Sequence, residues 1–283
     1  MVGEGLEDYS RFETEREEMK IPKKEPPAIL TLPTERDKAS DKLSDYVIFL
    51  YGREKIGKSQ FANQFPDAFF MKCEEGTKAM DVYARSVRTW QQYLGYLSLL
   101  EKTTRFGTVV HDTLDYLYNF CEAYTCEKLA IAHPGDEAFS KGWDFLKQQF
   151  RSAINRITAS RRGTIFISHD DERTIKKRGE EQDRTQPSCK KGAMQVVGAL
   201  ADINAYAYYR PDGSRWIRIV GDESQYGGHR IAGHFVGIEE IPMGKNAKEA
   251  YDNFVAAFNT TEAKLPPKGG IAGEKKKIVV IKK

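Results

Sequence analysis

One short glycine-containing stretch early in the chain limits the possible folds more than any other feature of the sequence. Residues 52–59 read Gly-Arg-Glu-Lys-Ile-Gly-Lys-Ser and match the phosphate-binding pattern G-x-x-x-x-G-K-[ST]. In such a loop the glycines permit a tight turn, so that successive backbone N–H groups point at phosphate oxygens. Lys58 supplies a mobile cation, and the Ser59 hydroxyl is suited to Mg²⁺. The stretch therefore predicts a site for ATP and Mg²⁺.

The flanks of this loop favour a phosphate site over the alternative, an ordinary glycine-rich surface turn. An apolar, β-favouring run at 46–51 precedes the loop, and a short helix that stops near Pro66 follows it. Backbone amides, the start of the helix and the metal must act with the lysine, because one ion pair is weak in water. The expected nucleotide-binding residues are Gly52, Arg53, Glu54, Lys55, Ile56, Gly57, Lys58, Ser59 and Gln60.

Strand-like and helix-like segments alternate along the middle of the chain. The expected strands are 46–51, 68–72, 108–112 and 164–168. The expected helices are 90–101, 114–128, 137–159, 193–200 and 247–258. Two further runs, 205–210 and 215–220, flank Pro-Asp-Gly, which predicts a hairpin. We therefore expect an α/β fold with a mostly parallel sheet, helices on both faces and a C-terminal β-hairpin.

Composition indicates the class of protein, and the distribution of charge indicates where the folded core begins and ends. A hydrophobic content of 40% and a charged content of 30% are typical of a soluble globular protein. No apolar run is long enough to span a membrane and the N-terminus has no secretory pattern, so we expect a cytoplasmic protein. A core at 42–259 is expected between a charged N-terminal arm at 1–41 and a basic tail at 260–283.

The cysteines point to the same compartment. Cys73, Cys121, Cys126 and Cys189 form no C-x-x-C pair and have no histidine at metal-ligand spacing. We expect all of them to be reduced thiols, since disulfides rarely persist in the cytosol.

Acidic residues at strand ends are candidates for metal binding and hydrolysis. Asp112 ends the strand at 108–112 and is the expected partner of Ser59 at Mg²⁺; the alternative is that it only caps the following helix. Asp115, one turn further on, is expected to face solvent. Glu74 follows the strand at 68–72 and is a candidate for orienting the attacking water, with a solvated acidic turn as the alternative.

A histidine follows the fourth expected strand. His169 comes directly after 164–168, where a polar side chain can contact the γ-phosphate and report its loss to the next loop. The alternative is an ordinary core or surface histidine.

Several motifs beyond the phosphate loop resemble those of a known family. They are Gln64-Phe-Pro66, Ala68 to Thr77, Val87-Arg-Thr-Trp90, Thr108 to Leu117, Gly142-Trp143, Phe166-Ile-Ser-His169 and Tyr226-Gly-Gly-His-Arg230. Together they resemble the phage-encoded RecA-like P-loop ATPases of AAA type, and among them the Sak-four group of single-strand annealing proteins. The resemblance spans about 46–258. It implies a RecA-like core that hydrolyses ATP, binds single-stranded DNA and acts as a homo-oligomer, either ring or filament.

The resemblance also implies roles for individual residues. It makes Glu74 the hydrolytic carboxylate and His169 the γ-phosphate sensor, with Lys58 completing the catalytic set. Two departures from the family pattern affect hydrolysis more than binding: His111 precedes Asp112 where an aliphatic residue is usual, and Lys72-Cys73 replaces Asp-Thr or Asp-Ala. Lys72 could pair with Glu74 or Glu75.

The DNA contact is expected in the polar segment 170–191, which we interpret as a mobile loop. Its candidate phosphate-binding residues are Arg173, Lys176, Lys177 and Arg178, although acidic residues are almost as numerous there and a solvated loop is the alternative. Arg230 is a candidate arginine finger that acts on a neighbouring subunit.

Other functions remain open from the sequence. They are a P-loop kinase and an ATP-gated loader or scaffold with little hydrolysis. A host single-strand-binding protein is a further expected partner, and a membrane is not.

Overall fold

The structure, a computed structural model, describes residues 32–136, 141–160, 162–177 and 180–261. Contacts divide the chain into Met1–Ala39 and Ser40–Lys283, and every helix and strand named below belongs to the second unit. None of the described helices combines the length and apolar character that a membrane span requires. The expected helix residues 137–140 and the tail at 262–283 lie outside the described residues.

Strands and helices alternate through most of the second unit. The strands are β1 (Val47–Gly52), β2 (Ala68–Lys72), β3 (Tyr83–Ser86), β4 (Thr108–Asp112), β5 (Gly163–Ser168), β6 (Asp170–Lys177), β7 (Glu180–Pro187), β8 (Ile203–Tyr209), β9 (Arg215–Arg218), β10 (Gly228–His229) and β11 (Glu240–Pro242). The helices are α1 (Lys58–Ala62), α2 (Trp90–Leu100), α3 (Leu114–Leu129), α4 (Lys141–Thr158), α5 (Lys191–Leu200) and α6 (Ala247–Phe258).

One mixed sheet organises the described residues. Its strand order is β11-β9-β8-β1-β5-β4-β2-β3, and β10 pairs with β8 outside this path. Along the path β3-β2-β4-β5-β1-β8 every neighbouring pair is parallel, whereas β8 pairs antiparallel with β9, and β9 with β11. The predicted α/β fold with a mostly parallel sheet and a C-terminal hairpin, β8–β9, is therefore confirmed.

Helices cover both faces of this sheet, as predicted. Alternate residues of β1 divide between two apolar clusters: Ile48 and Leu50 pack with α1 and α6, and Val47 and Phe49 pack with α2 to α5. This period-two division is what buries a parallel strand on both sides. Because these strands are parallel, the carboxyl ends of β1, β2, β4 and β5 meet at one edge of the sheet.

The interpretation of 170–191 as a mobile loop is wrong. β6 and β7 form a two-stranded antiparallel sheet, in register from Asp170 opposite Pro187 to Lys177 opposite Glu180, and 191 already belongs to α5. The strands carry polar residues on both faces, so the apolar–polar alternation that signals a half-buried strand is absent from their sequence. The strands β3, β10 and β11 were not predicted either. They have 4, 2 and 3 residues, which is too short for a periodic pattern to show in the sequence.

Candidate active site

Close packing requires glycine where β1 enters the loop. Gly52 has φ +150°, and a Cβ atom on it would lie 2.1 Å from the Ala207 carbonyl oxygen on β8. Gly57 adopts φ +109°, a left-handed conformation that favours glycine, and it directly precedes α1. The two glycines of the motif thus let the chain leave the sheet and turn into the helix within a few residues.

Lys58 lies buried at the centre of the loop. Its Nζ atom donates hydrogen bonds to the carbonyl oxygens of Gly52, at 2.5 Å, and Arg53, at 2.9 Å. Burial lowers the pKa of this ammonium, while carboxylates including Asp170 and Asp112 oppose that shift. Within the described residues it forms no salt bridge, so its charge is available to an anion such as a phosphate group.

A hydroxyl and a carboxylate meet beside this lysine. Ser59 Oγ donates to Asp112 Oδ2 at 2.7 Å, which is the arrangement expected from the sequence. The Asp112 side chain is buried, and its burial raises the pKa of the carboxyl, opposed by the hydrogen bond from Ser59. β1 and β4 both flank β5, which explains how two sequence-distant residues come together.

These oxygen atoms fit a magnesium site. Mg²⁺ prefers hard oxygen ligands and commonly uses one or two protein groups together with phosphate oxygens and waters. The alternative role for Asp112, helix capping, is wrong: Thr113 occupies the N-cap position of α3, and its side chain makes no capping hydrogen bond with the described residues.

Glu74 and His169 form a second pair at the same edge. His169 Nε2 lies 3.4 Å from Glu74 Oε1, and both side chains are about a quarter exposed. The hydrogen bond to Glu74 raises the pKa of the imidazole, against the effect of burial. β2 is not adjacent to β1, so Glu74 reaches the site because all the parallel strands end at one edge, not because of neighbouring strands.

A cavity of about 520 Å³ connects the two pairs. The predicted residues that line it are Glu54, Lys55, Gly57, Lys58, Ser59, Gln60, Glu74, Asp112 and His169. Gly52, Arg53 and Ile56 do not line it; their carbonyl oxygens accept hydrogen bonds from Lys58 and from Arg215 instead. The structure thus brings all the predicted catalytic and metal-binding side chains to one cavity.

Arg215 was not anticipated from the sequence. Its Nη1 atom donates to the Ile56 carbonyl oxygen at 3.2 Å, and its Nη2 atom donates to the Gly244 carbonyl oxygen at 3.0 Å. It thereby ties the phosphate loop to β9 and to the segment before α6. Arg215 is 159 residues from Ile56 in the sequence, and no local pattern distinguishes it from other arginines.

The expectation that Asp115 faces solvent is wrong. It is half-buried rather than solvent-facing: Oδ1 accepts a hydrogen bond from Ser188 Oγ, and Oδ2 is buried without a partner among the described residues. Ser188 also donates its backbone N–H to the His169 carbonyl oxygen at 2.9 Å. Both ends of the β6–β7 hairpin are therefore fixed beside the cavity.

The two departures in the sequence have different structural outcomes. Lys72 Nζ lies 3.9 Å from Glu75, which also pairs with Arg88. Among the described ion pairs, Glu74 therefore pairs with His169 and not with Lys72. His111 is fully buried, with its ring stacked on Phe166 at 4.4 Å. Burial lowers its pKa to about 3, which keeps the imidazole neutral.

Two of the candidate DNA-binding residues, Arg173 and Lys176, lie on β6 and do not line the cavity. Arg173 donates to Asp171 and to the Ser188 carbonyl oxygen, and Lys176 pairs with Glu181 at 3.0 Å. The Lys177 side chain and Arg178 lie outside the described residues.

Arg230 lies at the opposite edge of the sheet from the loop. It donates to the carbonyl oxygens of Ala199 and Ala201, next to the start of β8. It is therefore remote from the cavity of its own chain.

Comparisons with known proteins bear on this site. Residues 44–231, about two thirds of the chain, match a family model described as an AAA domain, and this range includes every cavity residue named above. A KaiC-like protein from the hyperthermophilic archaeon Pyrococcus horikoshii OT3 is similar in structure, with 11% identity and a TM-score of 0.42 over 70% of this chain and 85% of that chain. A search of curated proteins found no match.

Proposed function

The chain belongs to the AAA domain family, and from this premise we propose that it hydrolyses ATP and uses the reaction to bind and pair single-stranded DNA in phage DNA metabolism. The observation that carries the ATPase part is the cavity in which Lys58, the Ser59–Asp112 pair and Glu74 converge. The motifs that resemble those of phage annealing proteins support the DNA part.

Each group in the cavity has a distinct task. The loop amides and Lys58 bind the β- and γ-phosphates, and Mg²⁺ held by Ser59 and Asp112 would neutralise charge on those phosphates. Glu74 takes a proton from a water that attacks the γ-phosphorus, while the bond to the β-phosphate oxygen breaks and ADP leaves. His169 contacts the Glu74 carboxylate through its Nε2 atom and would sense the γ-phosphate from the wall of the same cavity.

The β6–β7 hairpin is the proposed link between ATP and DNA. It begins at Asp170, directly after His169, and ends next to Ser188, which bonds to Asp115. A change at the γ-phosphate can therefore act on both ends of the hairpin. The exposed Lys176–Glu181 pair is no obstacle to DNA, because surface ion pairs are worth about 0–1 kcal/mol and a DNA phosphate can replace the carboxylate.

Assembly into a homo-oligomer, ring or filament, completes the proposal. The exposed Arg230 would then act on the nucleotide of an adjacent copy, since it cannot reach its own. A host single-strand-binding protein is a further proposed partner.

ATPase turnover with and without single-stranded DNA tests the catalytic part. We expect stimulation by DNA in the wild type, loss of nucleotide binding in Lys58→Ala, and a loss of turnover of about 10²- to 10⁴-fold in Glu74→Gln with binding retained. Glu75→Gln is the matched control, because Glu75 pairs with Arg88, and it should retain turnover. Equal turnover in Glu74→Gln and Glu75→Gln would remove Glu74 from the mechanism, and tight ATP binding without wild-type turnover would indicate an ATP-gated scaffold.

The dependence of DNA affinity on salt tests the hairpin. Replacing Lys176, Lys177 and Arg178 with alanine should reduce the log–log slope by about 0.7 per lost phosphate contact. The triple replacement of Lys275, Lys276 and Lys277 removes equal charge from the basic tail, the second candidate for DNA contact, and therefore compares the two candidates. An unchanged slope in the hairpin variant excludes this hairpin from the DNA site.

A further inference from the structure

A second cavity opens next to the phosphate cavity. It has a volume of about 360 Å³ and is lined by residues of α1 and the turn after it, by Arg215 and by the start of α6. Gln60 and Met80 line both cavities. A ligand whose phosphates occupy the first cavity can therefore extend past Gln60 into the second.

Amide side chains dominate one wall of this second cavity. Gln60, Asn63 and Gln64 are spaced i, i+3 and i+4, which places them on one helical face. The helical hydrogen bonding continues past Ala62, because the N–H of Asn63 bonds to the Ser59 carbonyl oxygen at 3.0 Å and that of Gln64 to the Phe61 carbonyl oxygen at 3.0 Å. The wall thus begins at the residue that follows Ser59 of the phosphate loop.

The hydrogen-bonding capacity of this wall is only partly used. Asn63 Nδ2 donates to the Asp81 carbonyl oxygen at 3.2 Å, which leaves Oδ1 as an acceptor. Gln64 is half-buried, and its side-chain amide forms no hydrogen bond with any other described residue. A half-buried amide of this kind offers one donor group and one acceptor to a ligand.

Arg215 and Met80 form two further parts of the lining. The Arg215 guanidinium is held by two carbonyl oxygens, of Ile56 and Gly244, so its plane is fixed at the boundary of loop and cavity. A fixed guanidinium plane favours stacking on a flat ring. The Met80 side chain adds a polarisable apolar surface, which also suits an aromatic ring.

We propose that this second cavity binds the base of the nucleotide and selects adenine, with Gln64 as the main specificity-determining residue. The proposal rests on the proposed ATPase site and extends it. An amide side chain presents a donor and an acceptor that match the N6 amino group and N7 of adenine. Guanine is matched by arginine or lysine; the Arg215 guanidinium already donates to two carbonyl oxygens, and Lys245 lines the cavity but is exposed to solvent.

Binding of three ligands to the full chain tests this inference. The ligands are a non-hydrolysable ATP analogue, the corresponding GTP analogue and inorganic tripolyphosphate, each titrated calorimetrically with Mg²⁺. Gln64→Ala should weaken the ATP analogue by about five- to 150-fold, as expected for a lost bidentate pair, and should leave tripolyphosphate unchanged. Gln148→Ala is the matched control, because Gln148 is exposed on α4 at the opposite face of the sheet, and it should alter none of the three.

The outcomes separate the base site from the phosphate site. The inference is supported if the wild type prefers the ATP analogue over the GTP analogue and Gln64→Ala removes that preference alone. It is overturned if Gln64→Ala weakens tripolyphosphate equally, or if it changes no affinity. A wild type that binds none of the ligands would refute the proposed nucleotide site itself, whereas binding of tripolyphosphate as tightly as the ATP analogue would refute only the base site.

Discussion

Replacing Gly52 with alanine tests how the phosphate loop is attached to the sheet. The added Cβ atom would lie 2.1 Å from the Ala207 carbonyl oxygen and 2.9 Å from its carbonyl carbon, so β1 and β8 must separate by about 1 Å to restore van der Waals contact. These atoms belong to backbone in the middle of the sheet and cannot rotate away as a side chain could.

Two energetic costs add at this position. Alanine at φ +150° is strained by about 1–3 kcal/mol, and forcing an extra carbon into packed structure costs about 1–3 kcal/mol more. We therefore expect Gly52→Ala to lower the free energy of unfolding by about 3 kcal/mol or more. ATP binding should weaken as well, because the Gly52 carbonyl oxygen holds Lys58 Nζ.

Urea unfolding and calorimetric titration with Mg-ATP measure both effects. Gly95→Ala is the control: Gly95 lies in α2, a Cβ there would meet no atom within 4 Å, and alanine should stabilise the helix by about 0.5–1 kcal/mol. The two substitutions are chemically identical and should act with opposite sign. A destabilisation of Gly52→Ala below about 1 kcal/mol, with ATP binding intact, would refute this account of the loop.

Two further predictions concern other buried and paired groups. The Glu74 hydrogen bond raises the pKa of His169, so this pair stabilises the fold below the ordinary histidine pKa of about 6.5 and loses that effect as the pH rises through the folded-state pKa. Glu74→Gln should lower the His169 pKa in an NMR titration, and an unchanged pKa would contradict the contact. The Tyr93 hydroxyl is buried without a partner among the described residues, so Tyr93→Phe should be neutral or stabilise by about 1 kcal/mol in urea unfolding. A loss above about 1 kcal/mol would show that the hydroxyl is hydrogen-bonded.

Much of the core was predictable because its signals are local. The expected strand at 68–72 and the helix at 247–258 agree with β2 and α6, since an apolar run and a helical apolar spacing identify such elements. The polar strands β6 and β7 carry no such signal, because neither of their faces is buried in an apolar core. Asp115 was misjudged because its partner, Ser188, is 73 residues away in the sequence.

The sequence by itself determined which stretch of backbone can surround a phosphate group, since the steric freedom of Gly57 and the chemistry of Lys58 and Ser59 are properties of consecutive residues. Only the tertiary structure decided which side chains from other strands meet around the cavity beside that stretch. The strand order brings His169 to Glu74, and β9 brings Arg215 to the loop. Contacts of this kind depend on which strands are neighbours and where they end, and local spacing carries no information about either.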